Sequence, residues 1–365
     1  MKSTAVTRGV LALLLLCAAV SAGIYQQRGA RNEGLKHAQQ AIASQPLSSP
    51  EVAIVPVLLS GPLADRNSEI SGLAWYKDYL ILLPQYPKRL GNHLFALQRE
   101  EIVQAVIEGE GEPLSPLAIP FNAPEFEREI LGFEGFEAIA FRDGQAFLTI
   151  EAAEGDTARG YVTKGALADD LSEFVIDSGE LAMSPGQSNS PNKADESILL
   201  TDETVISIYE ANGSQVNATP LMSAFDFNLT PLPSVEFPAI EYRVTDVTAL
   251  DERDRFWAVN YFYEGDRDLF PDRDPLTIRF GRGETHRQRQ TVERLVEFAY
   301  GDGGISLTET APLQLALIEQ GRNWEGIARF DNVRSGERGF LLATDKFPET
   351  ILGYVALPEA VRQSD

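Results

Sequence analysis

The stretch Glu69-Ile-Ser-Gly-Leu-Ala-Trp75, followed closely by Tyr79-Leu-Ile-Leu-Leu83, decides the fold. An acid opens a short apolar run, and a second apolar run follows after a turn. The chain repeats this arrangement at intervals of roughly 40–50 residues or more, which is typical of propellers built from all-β units. We therefore predict an all-β chain folded as a β-propeller, in which each acid-led run is the innermost strand of a blade.

Further copies share an opening acid or amide and a following apolar run. They are Glu137-Ala-Ile-Ala-Phe141 with residues 146–151, a weaker copy from Asn192 into residues 197–203, Asp246-Val-Thr-Ala-Leu250 with residues 256–260, and residues 325–330 with residues 340–345. The sequence thus predicts five blades, with a sixth as an alternative between Asp246 and Glu325. The last blade lacks an outer strand and residues 52–59 form a strand without a blade, so we expect these two to pair and close the ring.

The N-terminus indicates export. Lys2 and Arg8 flank the start of an apolar run over residues 10–20, and small residues at Ser21 and Ala22 fit a signal-peptidase site. Residues 1–24 are therefore predicted to be a signal peptide, with an uncleaved membrane anchor as the alternative. Residues 25–51 are polar and small and are predicted to form a flexible tether, and residues 52–358 form the propeller domain. The protein is expected to be periplasmic or secreted, or anchored by the uncleaved segment.

Composition excludes several classes of function. The formal net charge of −23 disfavours nucleic acids and anionic lipid headgroups as partners. We expect no nucleic-acid partner, and a membrane contact only through an uncleaved N-terminal segment. Cys17 is the only cysteine and lies in the predicted signal, which leaves the mature chain without disulfides or thiol chemistry. The sequence also lacks the Gly-x-Ser-x-Gly, His-Glu-x-x-His and Walker motifs.

The acid-led runs also predict a metal site. The innermost strands of a propeller converge on its axis, where several carboxylates cannot all be ionised without a compensating cation. Calcium takes roughly 6–8 oxygen ligands in flexible geometry, which suits such a set. The predicted calcium ligands are Glu69, Glu137, Asp246, Glu325, Asn192 and Asn260. The alternative is that these acids stand apart, each capped by backbone N–H groups or by arginine.

Other polar positions lead to further predictions. The second strands end in Gln85, Glu151, Glu203, Asn260 and Asp345, which we expect to face the loop rim instead of the axis. His93 is the only histidine inside the repeats and is a candidate general base, with a structural histidine as the alternative. A short helix is predicted over residues 313–320. Residues 263–290 are rich in charged and turn residues and are predicted to be a loop over one face of the disc.

Parts of the chain resemble a known family. Asn323-Trp-Glu-Gly-Ile-Ala328 followed by Gly339-Phe-Leu-Leu-Ala-Thr-Asp-Lys346 looks like the closing repeat of the esterase-like/phytase-like β-propeller proteins. Glu69-Ile-Ser-Gly-Leu-Ala74 and Phe136-Glu-Ala-Ile-Ala140 resemble earlier repeats of that family, and calcium-dependent lactonase propellers are distantly similar. The resemblance implies an exported propeller with phosphatase- or esterase-like activity. Clustered Lys and Arg residues, which a phytase needs, occur here only over residues 279–289.

Two functions are compatible with the sequence. The first is an exported, calcium-dependent hydrolase of a small ester, lactone or phosphoester, in which the ion polarises the substrate oxygen and lowers the pKa of a bound water. The second is a non-catalytic, envelope-tethered propeller that binds a ligand or a protein partner through residues 263–290. Because no recognised catalytic motif is present, the sequence alone leaves both open.

Overall fold

The structure, a computed structural model, describes residues 48–108, 112–188, 192–319, 321–332, 335–346 and 349–362. The predicted signal or anchor over residues 1–24 lies outside these ranges, as does the predicted tether up to residue 47. One compact unit begins at Ser48, slightly before the predicted start of the propeller at Val52. Within the described ranges, no helix is long and apolar enough to cross a membrane.

In the part of the chain that the structure describes, the strands form five blades. Two N-terminal strands come first, β1 (Glu51–Val52) and β2 (Ile54–Val57). Blade 1 contains β3 (Ile70–Tyr76), β4 (Tyr79–Pro84), β5 (His93–Gln98) and β6 (Leu117–Asn122). Blade 2 contains β7 (Phe133–Arg142), β8 (Gln145–Glu154), β9 (Thr157–Leu167) and β10 (Phe174–Ser184). Blade 3 contains β11 (Asp195–Leu200), β12 (Val205–Tyr209), β13 (Leu221–Phe225) and β14 (Pro231–Glu236).

The remaining strands build the last two blades. Blade 4 contains β15 (Arg243–Val247), β16 (Arg255–Phe262) and β17 (Val292–Gly301), with β18 (Gly304–Leu307) and β19 (Leu313–Leu315) both paired to β17. Blade 5 contains β20 (Trp324–Asn332), β21 (Glu337–Thr344) and β22 (Leu352–Ala356). The helices are short and are α1 (Arg99–Val103), α2 (Phe126–Glu129), α3 (Pro275–Phe280) and α4 (Glu359–Arg362), with helical turns at Gly61–Ala64, Pro87–Leu90, Gln104–Glu108, Arg267–Leu269 and His286–Gln288.

The N-terminal strand closes the ring, as predicted. Strand β2 pairs antiparallel with β22, so that Ile54 lies opposite Val355 and Val57 opposite Leu352. Blade 5 thereby gains its outer strand, and the five-blade prediction is confirmed over the six-blade alternative. The interval from Asp246 to Glu325 holds blade 4 and an insertion. The helix predicted over residues 313–320 is wrong, because β19 pairs with β17 on one side and with β1 on the other.

The innermost strands pack tightly around the axis. The Ser71 hydroxyl donates a hydrogen bond to the carbonyl of Phe136 at 2.7 Å, which links blades 1 and 2. The Thr245 hydroxyl donates to the carbonyl of Trp324 at 2.6 Å and links blades 4 and 5. A Cβ atom at Gly72 would lie 3.2 Å from the Ala138 Cα. A side chain at this position would therefore press on the backbone of the neighbouring innermost strand.

Each innermost strand has a register shift, which contains an acid in blades 2 to 5 and Ser71, two residues after Glu69, in blade 1. The register shifts fall between Ile70 and Gly72, Phe136 and Ile139, Asp195 and Ser197, Val244 and Val247, and Trp324 and Gly326. A bulge bends the strand and changes the direction of a side chain. In blade 3 the innermost strand is β11, which includes residues 197–200. The prediction that residues 197–203 form the second strand is therefore wrong, because the second strand is β12. The acid that opens this blade is Glu196.

The insertion between β16 and β17, residues 263–291, was predicted to be a loop. It contains α3 and two helical turns and is attached to the blades by buried contacts. Buried Asp274 forms an ion pair with Arg294 at 2.7 Å. The Glu51 carboxylate accepts hydrogen bonds from the Thr285 hydroxyl at 2.8 Å and from His286 Nδ1 at 2.9 Å. Strand β1, which contains Glu51, therefore also holds the insertion in place.

We expect Glu51→Gln to lower the free energy of unfolding by about 1–2 kcal/mol, because a neutral amide oxygen accepts hydrogen bonds from Thr285 and His286 more weakly than a carboxylate does. Thermal denaturation of the variant measures the loss. Glu112→Gln, at an exposed position, is the matched control and should change the melting temperature little. Equal effects of the two substitutions would contradict the anchoring role of Glu51.

Candidate functional site

A polar cavity of about 270 Å³ lies where the innermost strands begin. Among the described residues, its lining combines six carboxylates with two cations. The carboxylates are Glu69, Glu137, Glu151, Glu196, Glu325 and Asp345. The cations are Arg243 and Lys346, and the remaining polar side chains include Gln85, Tyr86, Asn192 and Asn323. Such an excess of carboxylates in a small enclosed volume makes this cavity the candidate functional site.

The ends of the second strands contribute to the cavity, against our prediction that they face the rim. Gln85, Glu151 and Asp345 all line it. The reason is hairpin geometry, because the second strand of each blade returns antiparallel to the start of the first. Trp324 at the start of β20 accordingly lies opposite Thr344 at the end of β21. Glu203 behaves differently and is exposed in the turn between β11 and β12.

The structure brings four of the six predicted calcium ligands to this cavity, namely Glu69, Glu137, Glu325 and Asn192. Asp246 is buried, but its Oδ2 accepts a hydrogen bond from the backbone N–H of Ile327 at 2.8 Å.

Asn260 donates from its amide to the carbonyls of Glu241 and Arg243, at 2.9 Å each. Asn260 therefore holds the start of β15, and neither it nor Asp246 is part of the cavity lining.

His93 lies on β5, the third strand of blade 1, and is not part of the cavity lining. Its Nδ1 is 3.1 Å from the carbonyl oxygen of Leu90. It lines a separate cleft together with Tyr86 and Phe136. The proposed role of His93 as a general base at the axis thus has no geometric support.

A buried charge network centred on Arg243 forms one wall. Arg243 donates to Glu210 at 2.5 Å and to Glu196 at 2.7 Å, and lies 3.7 Å from Glu325. Lys193 lies 3.9 Å from Glu210. Sequence reasoning missed these partners. Glu196 opens an apolar run in the same way as Glu137 and was detectable, whereas nothing in the sequence around Arg243 marks it.

The opposite part of the cavity has a different charge balance. Glu69 pairs with Arg89 at 2.8 Å and with Lys346 at 3.4 Å. Glu137 accepts a hydrogen bond from the Gln85 amide at 3.1 Å. Glu151 has no hydrogen-bond partner for its Oε1 among the described residues. Arg89 and Lys346 therefore pair with Glu69, and Arg243 pairs with Glu196 and Glu210. Among the described residues, no cation forms an ion pair with Glu137 or Glu151.

Burial changes the proton affinity of these acids. Burial, with a smaller contribution from Glu210, raises the pKa of Glu151 to about 8. Burial also raises the pKa of Glu325 to about 8, although Arg243 opposes this shift. The pKa of Glu137 lies well above its usual range because of burial and the nearby Glu151. The cavity therefore holds carboxyl groups that are protonated at neutral pH and able to donate a proton.

The unpaired atoms in the lining are all carboxyl or amide oxygens. Among the described residues they are Glu151 Oε1, Glu196 Oε2, Asn323 Oδ1 and Asp345 Oδ1. Buried polar atoms normally have hydrogen-bond partners, so a ligand with hydrogen-bonding groups fits this cavity. Carboxylate and amide oxygens of this kind are also suitable ligands for calcium. However, no three Asp, Glu, His or Cys side chains in the described ranges are placed to hold a metal ion together.

Comparison with solved structures gives matches of low similarity. Solved structures similar to this chain include glutaminyl cyclase from Myxococcus xanthus, with 7% identity over 84% of this chain and 100% of that chain and a TM-score of 0.41. A GH43 endo-arabinanase from Bacillus licheniformis has 8% identity over 82% and 96% of the two chains and a TM-score of 0.45. The catalytic domain of a GH62 α-L-arabinofuranosidase from Coprinopsis cinerea has 8% identity over 86% and 98%, with a TM-score of 0.46.

No protein-family model matches the chain, and no curated protein matches it significantly. At the identities and TM-scores above, the similar structures carry no information about activity or substrate. The strand pairing itself establishes a β-propeller. The finer resemblance to esterase-like/phytase-like propellers stays a prediction.

Proposed function

We propose that this protein is an exported hydrolase of small, uncharged esters or lactones, with the central cavity as its active site. The observation that carries the proposal is the set of buried, unpaired carboxyl and amide oxygens beside carboxyl groups of raised pKa. Perturbed pKa values of this kind are typical of catalytic sites. Export rests on residues 1–24, and N-terminal sequencing of the protein from its native host tests it.

The charge of the cavity favours neutral substrates over phosphoesters. Both cations of the described lining are already in ion pairs, Arg243 with Glu196 and Glu210, and Lys346 with Glu69. A phosphoester brings negative charge that needs a cation to balance it, and these two cations are engaged elsewhere. Of the substrates that the sequence predicts, an ester or lactone therefore fits the cavity best.

The reaction in this proposal uses two carboxyl groups from different blades. Asp345, at the end of β21, accepts a proton from a water molecule that attacks the acyl carbon. The C–O bond to the leaving group then breaks, and protonated Glu151, at the end of β8, donates its proton to the leaving oxygen. The products are a carboxylic acid and an alcohol, or one hydroxy acid from a lactone. The step balances with these two carboxyl groups and one water molecule.

We expect the purified protein to hydrolyse aryl esters, and Glu151→Gln to reduce kcat/KM by about 100-fold because the amide cannot donate a proton to the leaving group. The wild-type kcat/KM should fall as the pH rises above about 8, where Glu151 loses its proton. Glu203→Gln, at an exposed acid outside the cavity, is the matched control. A hydrolase whose activity survives Glu151→Gln would overturn the assigned role, and a protein inactive on all esters and lactones would overturn the proposed function.

We also propose that calcium binds in the central cavity, and this binding is tested independently of hydrolysis. If an ion binds the folded cavity, it stabilises the protein by RT ln(1 + [L]/Kd), or about 2.7 kcal/mol at a hundredfold excess over Kd. Adding calcium should then raise the melting temperature, and Glu325→Gln should remove most of the increase. Glu203→Gln should leave the calcium-induced increase in melting temperature unchanged. A melting temperature that calcium does not change would remove calcium from the proposal but not the hydrolase.

The second candidate function is binding of a protein partner through the insertion. Tyr263, Phe270 and Ile278 expose 46%, 48% and 62% of their surface there. The insertion leaves β16 beside the cavity, because Tyr261 lies opposite the cavity residue Arg243. Cross-linking in the native host, compared between the wild type and a variant with all three replaced by alanine, tests this function. Identical cross-linked species from both proteins would count against it.

A further inference from the structure

A second hollow, here called the aromatic cleft, lies beside the central cavity. Its volume is about 680 Å³. One wall is the segment between β4 and β5, and the other is the connection from β6 through α2 to β7. The rings that line it are Tyr86, His93, Phe121, Phe126, Phe133 and Phe136.

The aromatic cleft and the central cavity take lining residues from the same two segments of the chain. Tyr86 lines both hollows, and its neighbour Gln85 lines the cavity. Phe136 lines the cleft, and its neighbour Glu137 lines the cavity. The two hollows are therefore neighbours, and the Tyr86 side chain forms part of the wall of each.

The chemistry of the two hollows is complementary. The cavity is lined mainly by polar and charged side chains. In the cleft, the half-buried rings of Tyr86, His93 and Phe133 are accessible, and the buried rings of Phe121, Phe126 and Phe136 pack behind them. The charged residues of the cleft pair with each other, Lys88 with Glu127 at 2.6 Å and Arg128 with Glu125 at 2.8 Å. These four side chains are exposed, so their charges lie at the mouth of the cleft in contact with solvent. The cleft therefore suits an uncharged, flat, apolar group.

Tyr86 is held firmly at the boundary. The Arg89 guanidinium lies 3.6 Å from the centroid of the Tyr86 ring, and Arg89 also pairs with Glu69 at 2.8 Å. Burial, together with nearby Glu137, raises the pKa of Tyr86 to about 12. The side chain is thus a neutral phenol at physiological pH, with a hydroxyl that donates hydrogen bonds. Such a residue suits a boundary between a polar and an apolar subsite.

We propose that the aromatic cleft binds a ring-bearing, apolar group of the substrate whose reacting ester or lactone bond lies in the central cavity. This inference rests on the proposed function and specifies its substrate class. Ligand pockets usually have volumes of roughly 300–1,000 Å³. The cavity alone, at about 270 Å³, falls below this range, and the cleft at about 680 Å³ lies within it.

The test fills the cleft without touching the cavity. Half-buried Ala123 lines the cleft, and Ala123→Phe places a ring inside it. The control is Ala249→Phe, at an exposed residue after the far end of β15, on the other face of the disc. Hydrolysis of 2-naphthyl acetate and of ethyl acetate is measured, along with direct binding of 2-naphthol by fluorescence.

We expect Ala123→Phe to raise KM for 2-naphthyl acetate about tenfold and to weaken 2-naphthol binding by a similar factor, which corresponds to roughly 1.4 kcal/mol. KM for ethyl acetate should not change, because its alkyl group does not reach the cleft. Ala249→Phe should change none of these values. If the melting temperature shows that Ala123→Phe does not fold, Phe133→Ala, which removes one wall, should weaken 2-naphthol binding instead.

The outcomes separate this inference from the proposed function. Hydrolysis of both esters with no effect of Ala123→Phe or Phe133→Ala would overturn the cleft as a subsite and leave the hydrolase. Binding of 2-naphthol that Ala123→Phe weakens, without hydrolysis of either ester, would support the cleft and overturn the hydrolase. Failure of the wild type to bind 2-naphthol would overturn the inference.

Discussion

Arg243→Leu is expected to lower the free energy of unfolding by about 3–5 kcal/mol, because removing one member of a buried ion-pair network leaves its partners buried and uncompensated. Arg243 is 8% exposed and contacts Glu196 and Glu210 directly. Urea denaturation measures the loss. Arg128→Leu removes an exposed pair with Glu125 and should cost about 1 kcal/mol or less.

A double variant distinguishes loss of charge compensation from loss of packing. Arg243→Leu combined with Glu210→Leu removes both a cation and its nearest anion, at 2.5 Å. We expect the pair to be more stable than Arg243→Leu alone, since one unpaired buried carboxylate has been removed. Additive destabilisation by the two changes would show that Arg243 acts through packing instead of charge.

Raising the pH from about 6.5 to about 9 is expected to destabilise the protein by several kcal/mol in the presence of a chelator. Glu151 and Glu325 have pKa values of about 8 in the folded state, and Glu293 about 7, all raised chiefly by burial. A group with a raised folded pKa stabilises the fold below its unfolded pKa, and this contribution disappears as the pH rises through the folded value. A tenfold difference in acid dissociation constant between the folded and unfolded states corresponds to about 1.4 kcal/mol.

The melting temperature measured across this pH range tests the prediction. Glu151→Gln and Glu325→Gln should each flatten the curve, because an amide does not ionise. His286 has a pKa lowered by burial. Its contribution is therefore lost as the pH falls below about 6.5, outside the range used. A wild-type melting temperature that stays constant or rises towards pH 9 would contradict the buried, protonated state of these acids.

Much of the architecture could be predicted from the sequence because blades are local. Each innermost and second strand forms a hairpin of consecutive residues, so an apolar run, a turn and a second run specify it. The pairing of β2 with β22 is the main long-range contact that was also predictable. A ring of blades must leave no open edge, and residues 52–59 were the one strand without a blade. Blade 3 was misaligned because its acid, Glu196, follows a second acid, Asp195, and the weaker pattern began at Asn192.

The candidate site was only partly predictable. Glu69, Glu137 and Glu325 were identified because they open innermost strands that converge on the axis, and all three line the cavity. Asp246 opens such a strand too, but backbone N–H groups satisfy it. Asp246 lies in a register shift just as Glu137 and Glu325 do, but the backbone N–H of Ile327 in the neighbouring blade reaches its carboxylate. Contacts between blades of this kind leave no mark in the hydrophobic pattern.

The sequence by itself determined five all-β repeats, their order and the closing strand, since hydrophobic periodicity and turn residues act between neighbours in the chain. Only the tertiary structure decided which charges meet. Arg243 reaches Glu196, Glu210 and Glu325 from different blades, and Tyr86 joins a polar cavity to an aromatic cleft. These contacts depend on the angles between blades and on side-chain directions at bulges. Burial then sets the proton affinity of each acid, because the cost of a charge depends on all the groups that surround it in space.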